Sequence, residues 1–167
     1  MSFLLPNKIF PRLTDIKIKD LDELNIKAVL LDVDNTLTVD HGKAFIENAQ
    51  QWIDDVLQSG RKILIMSNGK RKRLSKLLGA VGLECISMSA KPLPFSYWLS
   101  AIKLETPIKN ILMVGDQLFT DVLGAKLSGA KAFLVKPIEP EVKFSFVIRR
   151  RLENRYLKKH CKDCEGL

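Results

Sequence analysis

Short runs that are apolar throughout alternate along this chain with longer amphipathic stretches. Ala28–Leu31 predicts a buried strand, and Ile63–Met66, Ile111–Val114 and Ala132–Val135 repeat the pattern, with a shorter strand around Cys85–Ser87. Between the first two, Ile46, Ala49, Trp52, Ile53, Val56 and Leu57 recur at helical spacing, and Gly60 ends the helix. Leu74, Leu77, Leu78 and Val81 give a second helical stripe, and Phe95, Trp98, Leu99 and Ile102 a third. A further helix runs through Asp121–Leu127 and stops near Gly129. Strands without polar alternation, separated by helices, predict an α/β fold with a mostly parallel sheet covered on both faces. Right-handed crossovers then bring every strand's carboxyl end to one edge, where ligands of open α/β sheets bind.

The two ends of the chain follow a different pattern. Phe3, Leu4, Leu5, Ile9, Phe10 and Leu13 are interrupted by Pro6 and Pro11, which oppose one long helix. These residues are expected to cover the domain, with a membrane interface as the alternative. At the other end Phe144, Val147, Ile148, Leu152 and Tyr156 predict one helical stripe, packed on the sheet or on lipid. The expected organisation is one domain over 1–167, with a core over about 26–136 and a basic helical tail over about 139–167. A length of 167 residues with 46% hydrophobic content suffices for a real core. No apolar run approaches the ~20 residues of a membrane span. Met1–Lys8 is too short and interrupted for a secretory signal. Cys85, Cys161 and Cys164 make no disulfide framework, which agrees with a reducing cytoplasm. His160, Cys161 and Cys164 are one ligand short of a closed zinc site.

The net charge of +8 is unevenly spread. Seven Lys or Arg and no acid lie between Val56 and Leu83, and eight lie between Lys143 and Lys162 with only Glu153 opposing them. Such basic faces suit phosphate-bearing partners: an anionic lipid, an anionic small molecule or nucleic acid. A solvated, solubilising surface is the competing account.

The polar residues after the predicted strands supply the chemistry. Asp32 and Asp34 stand two apart, so in extended geometry they point the same way, and their mutual repulsion calls for a cation. Oxygen ligands of this kind suit a hard ion such as Mg²⁺. Asp32 can act as a carboxylate nucleophile and Asp34 as general acid and base. Asp116 follows another strand and can complete a coordination sphere with the Asp32 carboxylate and the Asp34 backbone carbonyl, while Asp121 can orient that sphere. Ser67 offers a hydroxyl, and the Asn68 and Gly69 amides sit where a helix would begin, a cradle for phosphate. Lys91 precedes Pro92, which keeps it out of a helix and free to reach inward.

Asp32-Val33-Asp34-Asn35-Thr36-Leu37-Thr38, Ser67-Asn68, Lys91-Pro92 and Gly115-Asp116-Gln117-Leu118-Phe119-Thr120-Asp121 resemble, in order, the four motifs of the haloacid dehalogenase (HAD) phosphatase superfamily. The resemblance covers roughly residues 26–136. It implies a Rossmann-like, five-stranded, mainly parallel sheet in the order 5-4-1-2-3, Mg²⁺ dependence and an aspartyl-phosphate intermediate. It also implies Asp32 as nucleophile, Asp34 as acid and base, Ser67, Asn68 and Lys91 at the substrate phosphate, and a metal held by Asp32, Asp34, Asp116 and Asp121. Only about a dozen residues follow Asp34 before the next predicted helix, and Ser67 and Lys91 are 24 positions apart. Neither gap holds a cap domain, so the site suits a large or surface-presented substrate. Leu5-Pro6…Phe10-Pro11, with the two acidic motifs, is similar to the YqeG-like branch, related to phosphatidylglycerophosphate phosphatases. That implies dephosphorylation of phosphatidylglycerophosphate to phosphatidylglycerol. Lys70–Arg73 and the basic tail would then face anionic headgroups, with the protein cytoplasmic and peripheral at the inner membrane surface. A soluble phosphate (nucleotide, sugar phosphate or nucleic-acid end) and a HAD shell that binds nucleic acid or the ribosome are the alternatives.

Overall fold

Six strands form a single sheet, and every neighbouring pair is parallel. They are β1 (Lys8–Phe10), β2 (Ala28–Leu31), β3 (Lys62–Met66), β4 (Cys85–Ile86), β5 (Ile111–Gly115) and β6 (Lys131–Val135), in the order β1-β6-β5-β2-β3-β4. The structure, a computed structural model, describes residues 3–39, 44–70, 72, 74, 78–79, 82–140 and 144–160. The five strands β2–β6 take the expected order 5-4-1-2-3. The sixth, β1, corrects the five-stranded expectation by adding to the β6 edge. Asn7 clips it there: its amide donates to the Ala132 carbonyl (2.7 Å) and its side-chain oxygen accepts from the Ala132 amide (3.0 Å). Pro6 and Pro11 flank only three paired residues, which is compatible with an edge strand that leaves one side unpaired.

The central strands are buried on both faces, which is why they carry no polar alternation. Val29, Leu31, Ile63, Ile65, Leu112, Val114, Phe133 and Val135 point into one core. Their neighbours Ala28, Leu30, Leu64, Met66, Ile111, Met113, Ala132 and Leu134 point into the other. The first core is closed by Leu21 of α1 (Ile18–Glu23), by Trp52, Ile53 and Val56 of α2 (Ala49–Gln58), and by the helical residues Leu74 and Leu78. Leu77 and Val81 of the expected stripe lie outside the described residues. The Trp52 indole donates to the Ile16 carbonyl (2.8 Å), tying α2 to the amino-terminal segment. Gly60 closes the α2 end at φ +82°, a conformation glycine adopts without strain.

The second core is closed by α3 (Phe95–Lys103), α4 (Leu123–Ser128) and Leu157 of α5 (Phe144–His160). The direction in which two expected stripes face is seen here. Phe95, Trp98, Leu99 and Ile102 of α3 face outward, Ile102 at 75% exposure, while Ser96, Tyr97 and Ser100 are buried. In α5, Tyr156 of the expected stripe packs on the second core beside buried Leu157, while Phe144, Ile148 and Leu152 are exposed. Spacing defines a face; it does not say which way the face turns. His160 ends α5 with its ring 4.6 Å from that of Tyr156. Cys161 and Cys164 lie outside the described residues.

Candidate active site

The carboxyl ends of β2, β3 and β5 lie side by side in the middle of the sheet, and the loops leaving them bring the expected residues together. Asp32 directly follows β2, and its amide donates to the Val114 carbonyl of β5 (2.9 Å). Asp116 follows β5. Asp121 lies on a turn of π-helix, Leu118–Val122, that follows Asp116 and leads into α4. All three are buried, and one oxygen of each lies within 4.8 Å of the others.

Lys91 enters this cluster from the far side of β3. Its ammonium donates to Asp32 Oδ1 (2.7 Å), Asp121 Oδ1 (2.7 Å) and the Met66 carbonyl (3.1 Å). Asn68 fixes the backbone that delivers it: Asn68 Oδ1 accepts from the Lys91 amide (2.9 Å) and the Ser89 hydroxyl (3.0 Å), and Nδ2 donates to the Lys91 carbonyl (3.3 Å). Met88 and Ala90 are held at φ +50° and +53° in this loop, a conformation that costs of order 1–3 kcal/mol per residue without glycine. Ser67 is buried at the end of β3, where its hydroxyl accepts from the Gly69 amide (3.0 Å). That contact marks a tight turn at the expected phosphate cradle. Asp34 sits half-buried in the loop after β2, bridged to Thr38, and its carboxylate is not one of the clustered three. Arg71 and Arg73 lie outside the described residues.

Two residues to which the sequence reading gave no role, Gly115 and Tyr97, shape the acids. Gly115 has no room for a side chain: a Cβ there would stand 2.3 Å from Asp121 Oδ2. Tyr97, buried on α3, donates its hydroxyl to the Asp121 carbonyl (3.1 Å). The carboxyl-terminal helix reaches the same loop. Arg150 donates to both Asp116 Oδ2 and the Asp116 carbonyl, Arg149 donates to Gln117 Oε1 (2.8 Å), and Glu153 accepts from the Phe119 amide (3.0 Å). Glu153, the lone acid among the basic residues of this helix, was the one sequence feature that set the segment apart, and it does not single out Arg150.

The electrostatics follow from three acids in a small volume. Burial pushes the Asp32 carboxyl up to about 7; Lys91 opposes that rise and the Asp121 charge adds to it. Burial likewise raises Asp116 well above its ordinary value, opposed by Arg150 and reinforced by Asp32 and Asp121. Burial depresses the Lys91 ammonium, but Asp121 and Asp32 more than offset it and hold Lys91 above its ordinary value. Lys91 and Arg150 do not balance three carboxylates, and Glu153 takes part of the Arg150 charge (3.1 Å). Asp116 Oδ1 is buried with no hydrogen-bond partner among the described residues. Surplus negative charge, oxygen donors and an orphaned carboxylate oxygen fit a hard divalent cation.

The backbone arrangement recurs in solved structures. An uncharacterised protein from Listeria monocytogenes serotype 4b superposes with a TM-score of 0.57 at 19% identity, over 80% of this chain and 99% of that one. The cobalt-bound deoxy-D-mannose-octulosonate 8-phosphate phosphatase of Haemophilus influenzae gives 0.55 at 16% identity, over 66% and 68%. The parallel α/β fold is therefore shared with these structures. In sequence, the mitochondrial PGP phosphatase family matches residues 1–77 and a HAD-like hydrolase family matches residues 89–137. The probable phosphatase YqeG of Bacillus subtilis is 28% identical over 156 residues, 93% of this chain and 91% of that protein. The mitochondrial phosphatidylglycerophosphatase GEP4 of Saccharomyces cerevisiae is 32% identical over 147 residues, 77% and 76% respectively. The chain belongs to the HAD phosphatase superfamily, in the capless branch that holds the yeast phosphatidylglycerophosphatase GEP4.

Proposed function

We propose that the protein is a Mg²⁺-dependent phosphomonoesterase that converts phosphatidylglycerophosphate to phosphatidylglycerol through an aspartyl-phosphate on Asp32. The observation that carries the chemistry is the Lys91 ammonium shared between Asp32 and Asp121, together with Asp116 Oδ1, which has no partner among the described residues. A cation held by Asp32, Asp116, Asp121 and the Asp34 backbone carbonyl would supply charge neutralisation between carboxylates and substrate phosphate. An Asp32 oxygen attacks phosphorus, the bond to the leaving alkoxide breaks, and Asp34 gives that alkoxide its proton. Asp34 then takes a proton from the water that attacks the same phosphorus, which frees Asp32 and inorganic phosphate. Lys91 and the Ser67 hydroxyl contact the transferring group, as does the Asn68 amide.

The substrate rests on the relatives and on the surface. Met88, Leu93 and Phe95 are exposed on the segment that carries Lys91. The outer face of α5 carries exposed Phe144, Ile148 and Leu152 among Arg151, Arg155, Lys158 and Lys159. Apolar and basic groups on one face suit an anionic bilayer, each basic residue adding about 1 kcal/mol near such a surface. No helix among the described residues is long and apolar enough to cross a membrane, so contact through this face would be peripheral. Phosphate release is to be compared on phosphatidylglycerophosphate vesicles and on a panel of nucleotide, sugar and nucleic-acid-end phosphates, with Mg²⁺ and with EDTA. The lipid is expected to dominate, with the activity lost in EDTA. Preference for a soluble phosphate would remove the lipid assignment, and full activity in EDTA the metal assignment.

A further inference from the structure

The basic tail does more than offer charge to solvent. Leu157 anchors α5 in the second core, and Arg149, Arg150 and Glu153 of the same helix touch the loop that follows β5. Arg150 is central among those contacts. Its guanidinium holds Asp116 by one carboxylate oxygen and by the backbone carbonyl at once, a two-point grip that fixes the side chain against its own main chain. The other carboxylate oxygen, Oδ1, is left buried and without a partner among the described residues, on the residue whose acid joins Asp32 and Asp121 in the cluster. Glu153 pins Arg150 from behind (3.1 Å) and accepts from Phe119, so the guanidinium is itself held.

We infer that Arg150 is a positioning residue of the cation site: it commits Asp116 Oδ2 to the protein and turns Oδ1 to the divalent ion. This rests on the cation reading of the acidic cluster. Arg150 and the cation use different oxygens of Asp116, so the two are held together and do not compete. Glu153 offsets the guanidinium charge as seen from the cation. Without Arg150, the Asp116 carboxylate is free to rotate and to present the wrong oxygen, and the ion loses a fixed ligand. Removing a partner that orients a ligand typically weakens metal binding by about 10–100-fold.

The test is Mn²⁺ affinity of the full chain, read from the electron paramagnetic resonance of the free ion, with thermal unfolding in EDTA measured alongside. Wild type is compared with R150M, R150K and, on the exposed face of α5, R155M. R150M is expected to bind Mn²⁺ about tenfold or more weakly while still unfolding cooperatively. R150K is expected to fall between, since an ammonium cannot span both Asp116 oxygens as the planar fork does. R155M is expected to match wild type. A folded R150M that binds as tightly as wild type, or more tightly, overturns the inference. Should R150M not fold, R150K decides alone: weakened binding supports the role and unchanged binding refutes it. Failure of wild type itself to bind Mn²⁺ would instead remove the cation reading beneath it.

Discussion

Replacing Asp32 by Asn separates the site's charge from its shape. The amide is nearly isosteric and can still accept from the Lys91 ammonium, but it removes one carboxylate from a cluster that Lys91 and Arg150 do not balance. Asp32 is raised to about 7 in the folded chain against an ordinary 3.8, because burial and Asp121 outweigh Lys91. The folded chain therefore holds this proton more tightly than the unfolded chain does. Ionisation of Asp32 opposes folding increasingly as pH rises from about 4 to about 7. At about 1.4 kcal/mol per pH unit, the upper bound of the penalty is about 4 kcal/mol. Relaxation of Lys91 and Asp121 brings a reasonable expectation to about 1–3 kcal/mol. In urea unfolding with EDTA, D32N should match wild type near pH 4 and exceed it at pH 8. It should also lose turnover. A variant less stable than wild type at pH 8, or a difference that does not change with pH, would refute the account of surplus charge.

Other substitutions probe the scaffold of the site. Gly115→Ala places a Cβ 2.3 Å from Asp121 Oδ2, so that carboxylate must retreat by about 1 Å to regain ordinary contact. It would lose its bonds to Lys91 and the Gln117 amide, with a stability cost of about 1–3 kcal/mol and a drop in kcat as the measured outcomes. Asn68→Ala removes three hydrogen bonds that hold the Lys91 loop and should lower kcat more than it raises KM for soluble phosphates, since Asn68 acts through Lys91. Asp residues at Ile148 and Leu152 together should abolish sedimentation with anionic vesicles while leaving hydrolysis of a small soluble phosphate ester unchanged.

Much of this molecule could be read from residue order. The apolar runs Ile63–Met66 and Ile111–Val114 became strands within a residue of their expected limits, because a strand buried on both faces leaves no polar position to blur its ends. The convergence of Asp32, Asp116 and Lys91 was legible from their places after parallel strands, whose carboxyl ends share one edge, and Asp121 joined them through the helical turn that follows Asp116. Three features escaped for identifiable reasons. β1 has only three residues between prolines, too few for an alternation signal. The α3 stripe was legible but its direction was not, because the buried face is set by Tyr97 reaching Asp121, a contact distant in sequence. The docking of Arg150 onto Asp116 has no local pattern either: Arg149, Arg150 and Arg151 are chemically equivalent in sequence, and only the helix register turns Arg150 inward. Asn68 was expected at the phosphate through its amide, and its side chain is also fully engaged in holding Lys91.

The central claim, that Asp32 carries the phosphoryl group, is tested most directly by acid-quenching the protein during turnover of phosphatidylglycerophosphate with Mg²⁺ and sequencing its peptides by mass spectrometry. The account predicts one added phosphoryl group on Asp32, absent from D32N and absent in EDTA. A phosphoryl group on another residue, or steady turnover by D32N, would contradict it.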